Sequence, residues 1–355
     1  MGVRHLRKLK VGYWPLSTTL DSAGDRRRLV FWAKARGHVI ITDLSQKVDV
    51  VVASENSDFN APCFTQSKVP IIFDLVDAYL SPLNSTDDLM RGIAKKVAGQ
   101  ISGDIKPFSH HVKDFCLNST AVICSSVEQQ EVIASYCTNA HVILDSHDEI
   151  PLILPAKPGF SSPNKYRILW EGQPATIRGI KLVSPALTQL SKIAPLSLEL
   201  VTDETYFKFL NKYLKRSTYN LIKREVRDVK DLVNITPWTP KNLVSRARES
   251  SIGILPIDLS VPMQKLKPEN RLLIMWRLGL PCLTSPSPSY MRVANSAGVD
   301  LICDNPARWL TKLEELLQNP TYAYQEVVRG QNYLLKMHTR DVLLKKWDQA
   351  IESVM

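Results

Sequence analysis

The chain has 355 residues, more than one ordinary hydrophobic core accommodates, which suits two domains of roughly 150 residues each. Its hydrophobic content of 44% and charged content of 23% are typical of a folded globular protein and exclude a disordered chain. The net charge of +10 favours an anionic partner: a phosphorylated substrate, an anionic membrane face or nucleic acid. Nucleic acid is disfavoured because the basic residues are dispersed and no zinc-finger or RNP-like motif occurs.

The chain carries no predicted signal for export or membrane insertion. No apolar run approaches the ~20 residues that span a bilayer, and residues 1–10 are basic without an apolar core behind them. The six cysteines are scattered without a C-x-x-C pair, which predicts buried reduced thiols and no structural zinc. We therefore expect a cytoplasmic protein, whose charge also suits a peripheral position on the inner face of the cytoplasmic membrane.

In the first half of the chain, short apolar strands alternate with helices, the pattern of a parallel α/β sheet. The first strand covers 10–14, and a polar loop leads to a helix over 26–36 that Gly37 ends. Further strands, rich in β-branched or other apolar residues and therefore expected to be buried on both faces, are predicted at 38–42, 48–52, 70–74 and 121–124.

A proline-rich stretch at 150–163 interrupts this alternation and predicts a domain boundary. The alternation then resumes, with strands predicted at 166–170, 196–201, 233–236, 251–255, 281–284 and 301–303. We expect an N-terminal domain at 1–150, a C-terminal domain at 151–330, and a final helix at 331–355 that packs back on the first domain. The predicted fold is α/β, with two Rossmann-like parallel sheets facing a central cleft.

The segment 204–216 is predicted to be a helix with aromatic and leucine side chains on one face and lysines beside it. Such a helix covers a sheet, and it also suits an anionic membrane surface. Packing on the sheet is the favoured of these two interpretations.

One loop with residues suited to binding a ligand follows the strand at 166–170 and leads into a helix expected over 180–193. Gly172 allows a ligand to approach the backbone closely, and Arg178 and Lys181 add positive charge for a diphosphate. An ordinary turn with solvated basic residues is an equally good interpretation. The loop lacks the G-x-G-x-x-G spacing, which disfavours NAD.

A second loop leads into a helix with Pro268 in its first turn and Gly279 at its end. Lys267 and Arg271 lie beside the positive N-terminal end of this helix, which predicts an anion site rather than a solvated helix start. Glu269 is a candidate for holding a pair of ribose or sugar hydroxyls. The predicted donor-binding residues at this helix start are Lys267, Glu269, Asn270, Arg271 and Leu272.

The loop after the first strand holds the candidates for activating an acceptor. Asp21 is the predicted base that takes a proton from an acceptor hydroxyl, and Arg26 is placed to contact an anionic acceptor. Asp25 is expected to cap the following helix. Asp74 and Asp77 end another strand and are predicted to lie on the acceptor side of the site.

Three motifs follow one another in the second half: Thr236-Pro-Trp-Thr-Pro240, Ser251-Ile-Gly-Ile-Leu-Pro256, and Lys267-x-x-Asn-Arg-Leu-Leu followed by Leu-Gly-Leu-Pro281. Their order and spacing resemble those of bacterial group 1 glycosyltransferases of the GT-B fold. Arg271 stands where the family pattern has a lysine. Many members carry two glutamates at a fixed spacing, and Ile274 stands at the position of the second.

The resemblance implies a nucleoside diphosphate sugar as donor and no cofactor. It implies transfer to a glycan or lipid-linked acceptor in the synthesis of cell-surface polysaccharide or glycoconjugate. A catalytically silent protein that binds nucleotide sugars or acts as a scaffold, and a nucleotide-sugar epimerase, are the alternatives. No metal is predicted, because no D-x-D element stands at a strand end; positive groups are expected to stabilise the leaving diphosphate instead.

Overall fold

A computed structural model of the chain describes residues 7–81, 85–155, 165–208 and 214–355. The chain divides into two compact units, and each is described by itself. The first unit runs to His147 and also includes 265–268 and 340–355, whereas the second comprises 148–264 and 269–339. Part of the proline-rich stretch in which we expected the boundary, 156–164, lies outside the described residues.

Within the described ranges, the first unit is built on a six-stranded parallel sheet in the order β2-β1-β3-β4-β5-β6. Its strands are β1 (Lys10–Trp14), β2 (Val39–Ile41), β3 (Val50–Ser54), β4 (Ile71–Leu75), β5 (Ala121–Cys124) and β6 (Ala140–Val142). Of the four inner strands of this described sheet, β3, β4 and β5 are buried along their whole length, as predicted from their apolar sequences. Because all strands are parallel, the loops after β1, β3 and β4 lie at the same edge of the sheet.

Helices cover both faces of this sheet. In the part of the first unit that the structure describes they are α1 (Ala23–Arg26), α2 (Leu29–Arg36), α3 (Pro62–Thr65), α4 (Ser85–Val97), α5 (Phe108–Asn118), α6 (Val127–Ile133) and the C-terminal α15 (Arg340–Glu352). The Phe115 ring lies 4.4 Å from the Phe59 ring and 5.0 Å from the Phe73 ring, so aromatic side chains fill the core beneath α5.

The end of the chain packs on α2. The Trp347 ring of α15 stacks 5.9 Å from Trp32, and Asp348 accepts a hydrogen bond from Trp32 Nε1 at 2.8 Å. The predicted final helix at 331–355 is in fact the end of one helix followed by α15, and only α15 belongs to the first unit.

The second unit is built on a five-stranded parallel sheet in the order β11-β8-β7-β12-β13, counted over the described residues. These strands are β7 (Tyr166–Glu171), β8 (Leu196–Val201), β11 (Val233–Thr236), β12 (Ile252–Leu255) and β13 (Cys282–Thr284). The described α-helices of this part are α7 (Ser184–Leu190), α8 (Thr218–Glu225), α9 (Pro240–Glu249), α10 (Pro262–Lys265), α11 (Asn270–Arg277), α12 (Pro288–Ala297), α13 (Pro306–Gln318) and α14 (Pro320–Met337). The predicted α/β class with two parallel sheets is confirmed.

One helix prediction in the second unit was wrong. The segment predicted as a helix at 204–216 contains an antiparallel hairpin of β9 (Thr205–Lys208) and β10 (Leu214–Ser217), because its β-branched and aromatic residues favour an extended chain. Three side chains of the proposed helix face, Phe209, Leu210 and Tyr213, lie outside the described residues. The helix expected at 180–193 is present as the shorter α7, and a 3-10 helix, Pro174–Leu182, precedes it.

Among the helices that the structure describes, none has the length and apolar character needed to cross a membrane.

Candidate functional site

The carboxyl end of β7 and the first turn of α11 form the candidate site of the second unit. Arg271 lies in this first turn, and its Nη2 donates a hydrogen bond to the main-chain carbonyl of Glu171. Its Nε lies 3.5 Å from Glu171 Oε2, and its guanidinium carbon lies 5.2 Å from the centre of a Trp170 ring. The end of β7 therefore holds the arginine in a defined position beside the N-terminus of α11.

Gly172 makes room for this arginine. Its φ is +156°, and a Cβ built at this position would lie 2.8 Å from Arg271 Nη2 and 3.0 Å from Arg271 Cζ. A larger residue would have to displace the guanidinium group or shift the backbone. The structure thus brings together Gly172 and Arg271, two residues that the sequence predicted as donor-binding.

Glu269 is the residue before α11 and is 4% exposed. Its carboxylate pairs with both terminal nitrogens of Arg292, at 3.1 Å to Nη2 and 3.3 Å to Nη1. The carboxylate is thus buried in an ion pair with an arginine of α12 that the sequence analysis missed, and its role in holding sugar hydroxyls stays a prediction.

Leu272 and Asn270, the other two predicted residues at the start of α11, have different surroundings. Leu272 is 1% exposed, so its side chain belongs to the core, and its role in donor binding stays a prediction. Asn270 Oδ1 is buried and accepts no hydrogen bond from the described residues. Because an unsatisfied buried acceptor costs about 1–3 kcal/mol, a donor from a ligand or solvent is expected here.

Arg178 and Lys181 lie on the 3-10 helix after β7, and each is already paired with an acid. Arg178 Nε lies 3.3 Å from Asp258, and Lys181 Nζ lies 2.6 Å from Glu225. Both basic side chains are about half exposed, at 46% and 56%, so these ion pairs are weak and exchangeable.

In the first unit, Asp25 organises the loop after β1. Its carboxylate accepts hydrogen bonds from the Tyr13 hydroxyl at 2.7 Å and from the main-chain N–H groups of Leu16 at 2.8 Å and Ser17 at 2.9 Å. The prediction that Asp25 caps the following helix was wrong. The cap of α1 is Ser22, whose hydroxyl accepts the N–H of Asp25.

Asp21 is exposed at the tip of this loop. It accepts hydrogen bonds from the hydroxyls of Thr19 at 2.6 Å and Ser17 at 3.3 Å. The hydrogen bond from Thr19 lowers the pKa of the Asp21 carboxyl, so the group is ionised at neutral pH. Arg26 Nη1 donates to the main-chain carbonyl of Asp21 at 2.8 Å, which places these two predicted residues side by side.

Asp74 does not lie on an accessible face. It is 2% exposed, and its carboxylate receives hydrogen bonds from Nη2 and Nε of Arg28, whose side chain is 0% exposed. Arg28 Nη1 also donates to the carbonyl of Ile143 at 2.7 Å. Its carboxylate neutralises a buried arginine that ties α2 to β4, and the acceptor-side role of Asp74 stays a prediction.

Asp77 is the carboxylate after β4 that meets Lys267. Lys267 Nζ lies 2.9 Å from Asp77 Oδ1. Burial raises the pKa of the Asp77 carboxyl, but Lys267, the Arg91 charge and the Tyr79 hydrogen bond together lower the pKa overall. Lys267 belongs to the segment 265–268 of the first unit, whereas Glu269 and Arg271 belong to the second. The predicted donor-binding residues are thus divided between the two units.

Glu55, at the end of β3, is a buried neighbour that the sequence analysis missed. Its Oε2 accepts the main-chain N–H of Asp77 at 2.9 Å. Burial and the negative charge of Asp77 raise the pKa of the Glu55 carboxyl to about 8. Lys95 donates to the carbonyl oxygen of Glu55 at 3.3 Å, and burial lowers the pKa of its ammonium to about 8.

The signal for the missed acids was present in the sequence. Glu55 directly follows β3 and Glu171 is the last residue of β7, the same strand-end positions that singled out Asp74 and Asp77. Within the described ranges, no group of three His, Cys, Asp or Glu side chains is arranged to hold a metal ion.

Two units that each carry a parallel sheet are the architecture of GT-B glycosyltransferases, and solved structures of this fold are similar to the chain. HepE from Anabaena, in complex with UDP and glucose, superposes with a TM-score of 0.65 at 11% identity, over 97% of this chain and 100% of that one. Sucrose-phosphate synthase from Thermosynechococcus elongatus has a TM-score of 0.59 at 12% identity, over 96% of this chain and 80% of its own.

TarM has a TM-score of 0.59 at 9% identity. The match covers 85% of this chain and 54% of TarM, so the chain spans about half the length of TarM. No protein-family model matches the sequence, and no curated protein matches it. At these low identities the similarity establishes the fold, and the chemistry has to be argued from the side chains.

Proposed function

We propose that the protein is a glycosyltransferase that moves a sugar from a nucleoside diphosphate sugar to a glycan or lipid-linked acceptor. The observation that carries the proposal is the contact between Gly172 and Arg271 at the end of β7. A guanidinium group held beside a helix N-terminus offers charge-assisted donors to a diphosphate. HepE, which has this fold, was solved with UDP, and this supports a uridine nucleotide as the first ligand to test.

The proposed reaction breaks the bond between the anomeric carbon and the diphosphate oxygen, whose electron pair stays on the diphosphate. Arg271 and the N–H groups of the first turn of α11 stabilise this developing charge. Lys267 adds a second cation by exchanging its Asp77 partner for a phosphate oxygen. Protein cations therefore supply the charge stabilisation, and we propose that transfer needs neither a divalent metal nor a cofactor.

The acceptor hydroxyl forms the new bond to the anomeric carbon and loses its proton. We propose Asp21 as the base that receives this proton, because it is an exposed, ionised carboxylate. Arg26, which is bonded to the carbonyl of Asp21, is the proposed contact for an anionic group of the acceptor. Such an enzyme would act in the cytoplasm, in the synthesis of cell-surface polysaccharide or glycoconjugate.

The proposal is tested by incubating the full chain with UDP-sugars and neutral sugar acceptors in the presence of EDTA, with product analysis by NMR. Formation of a new glycosidic bond and release of UDP is the expected result. A changed sugar configuration on the intact donor would instead identify an epimerase. Nucleotide binding without any product would identify a silent binding protein, and activity that requires added magnesium or manganese would refute metal independence.

A further inference from the structure

A polar cavity of about 590 Å³ lies in the second unit, at the edge strand β11 of the five-stranded sheet. The strand residues that line it include Arg167 near the start of β7 and Ser197 near the start of β8. Gly172 and Arg271, by contrast, lie at the carboxyl end of β7. The cavity is therefore separate from the candidate nucleotide site, and its volume is within the range of about 300–1,000 Å³ that is usual for ligand pockets.

Glu199 forms the buried part of this cavity and is 4% exposed. Its Oε1 accepts hydrogen bonds from the Ser197 hydroxyl at 3.0 Å and from Asn234 Nδ2 at 2.9 Å. Among the residues that the structure describes, no donor reaches Oε2 and no cation forms a salt bridge with this carboxylate. Oε2 is therefore open to a hydrogen-bond donor, which solvent or a ligand hydroxyl supplies.

Three basic side chains and one aromatic side chain also line the cavity. Arg167 and Arg246 both point their guanidinium groups to Glu249, with distances of 2.9 Å and 3.2 Å. Lys165 is exposed, and Tyr219 at the start of α8 is 54% exposed. The cavity thus combines one buried acceptor, several donors and one accessible aromatic ring.

This combination selects against ionic ligands of either sign. A cationic ligand would meet Arg167, Arg246 and Lys165, and an anionic ligand would meet the buried carboxylate of Glu199. A neutral polyol satisfies both, because its hydroxyls donate to Glu199 Oε2 and accept from the arginines. The C–H face of a sugar ring packs on an aromatic ring, which is the role available to the face of Tyr219 that the Lys223 ammonium, 4.4 Å from the ring centre, does not cover.

We propose that this cavity is a second carbohydrate site that binds a neutral oligosaccharide segment. In a glycosyltransferase it would hold a part of the glycan remote from the reacting hydroxyl. The proposal goes beyond the donor site and does not depend on it, since saccharide binding in this cavity is measurable without a nucleotide.

The test is saturation-transfer NMR and calorimetry on the full chain with neutral trisaccharides of glucose, mannose, galactose and N-acetylglucosamine. A heparin-derived disaccharide and spermidine serve as anionic and cationic probes. Tyr219→Ala removes the ring at an exposed position, Glu199→Gln keeps the side-chain volume, and Tyr324→Ala is the control in α14, outside the cavity lining.

We expect at least one neutral trisaccharide to bind saturably and to lose about tenfold in affinity in each cavity variant, with no change in the Tyr324 control or in UDP affinity. The proposal is overturned if no neutral trisaccharide binds at millimolar concentration. It is equally overturned if both cavity variants bind the trisaccharide like the wild type. Binding of the anionic or cationic probe that competes with the trisaccharide and is lost in Glu199→Gln would assign the cavity to an ionic ligand instead.

Discussion

Arg271 occupies the space into which a side chain at Gly172 would extend: a Cβ at position 172 would lie 2.8 Å from Arg271 Nη2. The guanidinium is also bonded to the carbonyl of Glu171, so the end of β7 and the start of α11 fix each other. A change at this glycine therefore acts directly on the arginine that we propose binds the diphosphate.

We predict that Gly172→Ala weakens UDP binding by about tenfold, because the methyl group displaces the guanidinium and costs one charge-assisted contact. Titration calorimetry measures the affinity. Gly298→Ala is the matched control: Gly298 also has a positive φ, of 70°, but nothing lies within 4 Å of its Cβ position. Unchanged UDP affinity in Gly172→Ala, with Arg271 still required, would show that the close contact is not needed for binding.

We predict that Asp21→Asn lowers kcat by about 10²–10⁴-fold and leaves UDP affinity unchanged, because the amide cannot take the acceptor's proton. Steady-state kinetics with the best acceptor provides the measurement. Asp43→Asn is the control, since Asp43 is likewise exposed and accepts a hydrogen bond from a serine hydroxyl, that of Ser45 at 2.6 Å. Near-normal turnover in Asp21→Asn would remove the residue from the mechanism and direct attention to Asp77.

The buried pair of Arg28 and Asp74 is predicted to act on stability. Arg28→Met leaves an uncompensated carboxylate in the core and is expected to lower the free energy of unfolding by about 3–5 kcal/mol. Urea denaturation measures this value, and the double variant Arg28→Met/Asp74→Asn is expected to lose less than the sum of the two single variants. Unchanged stability in Asp74→Asn together with a raised KM for the acceptor would instead support the predicted acceptor-side role of Asp74.

The raised pKa of Glu55 predicts a pH dependence of stability. The pKa of this carboxyl rises from its ordinary 4.5 to about 8 in the folded chain, because of burial and the negative charge of Asp77. The folded state therefore binds a proton that the unfolded state has released, so this contribution to stability is complete below pH 4.5 and is lost as the pH rises through 8. The pKa of the Lys95 ammonium falls from 10.5 to about 8, so this group changes the stability only above pH 8.

In Glu55→Gln this loss disappears, because the amide does not titrate. Between pH 4.5 and 8 the Tm of the wild type is thus expected to fall relative to that of Glu55→Gln. Thermal denaturation at matched ionic strength measures the difference. Parallel Tm profiles for the two proteins over this range would show that Glu55 ionises normally, despite the neighbouring charges of Asp77, Lys95, Lys267 and Arg91.

The two sheets were predictable because hydrophobic periodicity determines which segments are buried. The first strand, for example, was predicted at 10–14 and is observed at Lys10–Trp14. The hairpin of β9 and β10 was missed because its apolar residues also recur at helical spacing, and only the tertiary context decides between the two.

The site was predictable in part. The glycine after β7 and the arginine at the start of α11 follow from strand-end and helix-start rules. Which acids are accessible does not follow from those rules, because it depends on partners distant in the sequence. The Asp74 carboxylate forms a buried ion pair with Arg28, 46 residues away in the sequence, and Glu269 is paired with Arg292, 23 residues away.

The central claim is that Arg271 at the start of α11 binds a nucleoside diphosphate. Calorimetric titration of UDP and GDP into the wild type and Arg271→Ala tests it most directly, with Arg248→Ala as an exposed arginine control from the same unit. The account predicts saturable binding of at least one diphosphate by the wild type and the control. In Arg271→Ala it predicts a loss of about 1.5–3 kcal/mol, more than tenfold in affinity. A wild type that binds neither nucleotide at millimolar concentration, or an Arg271→Ala variant that binds as tightly as the wild type, would contradict it.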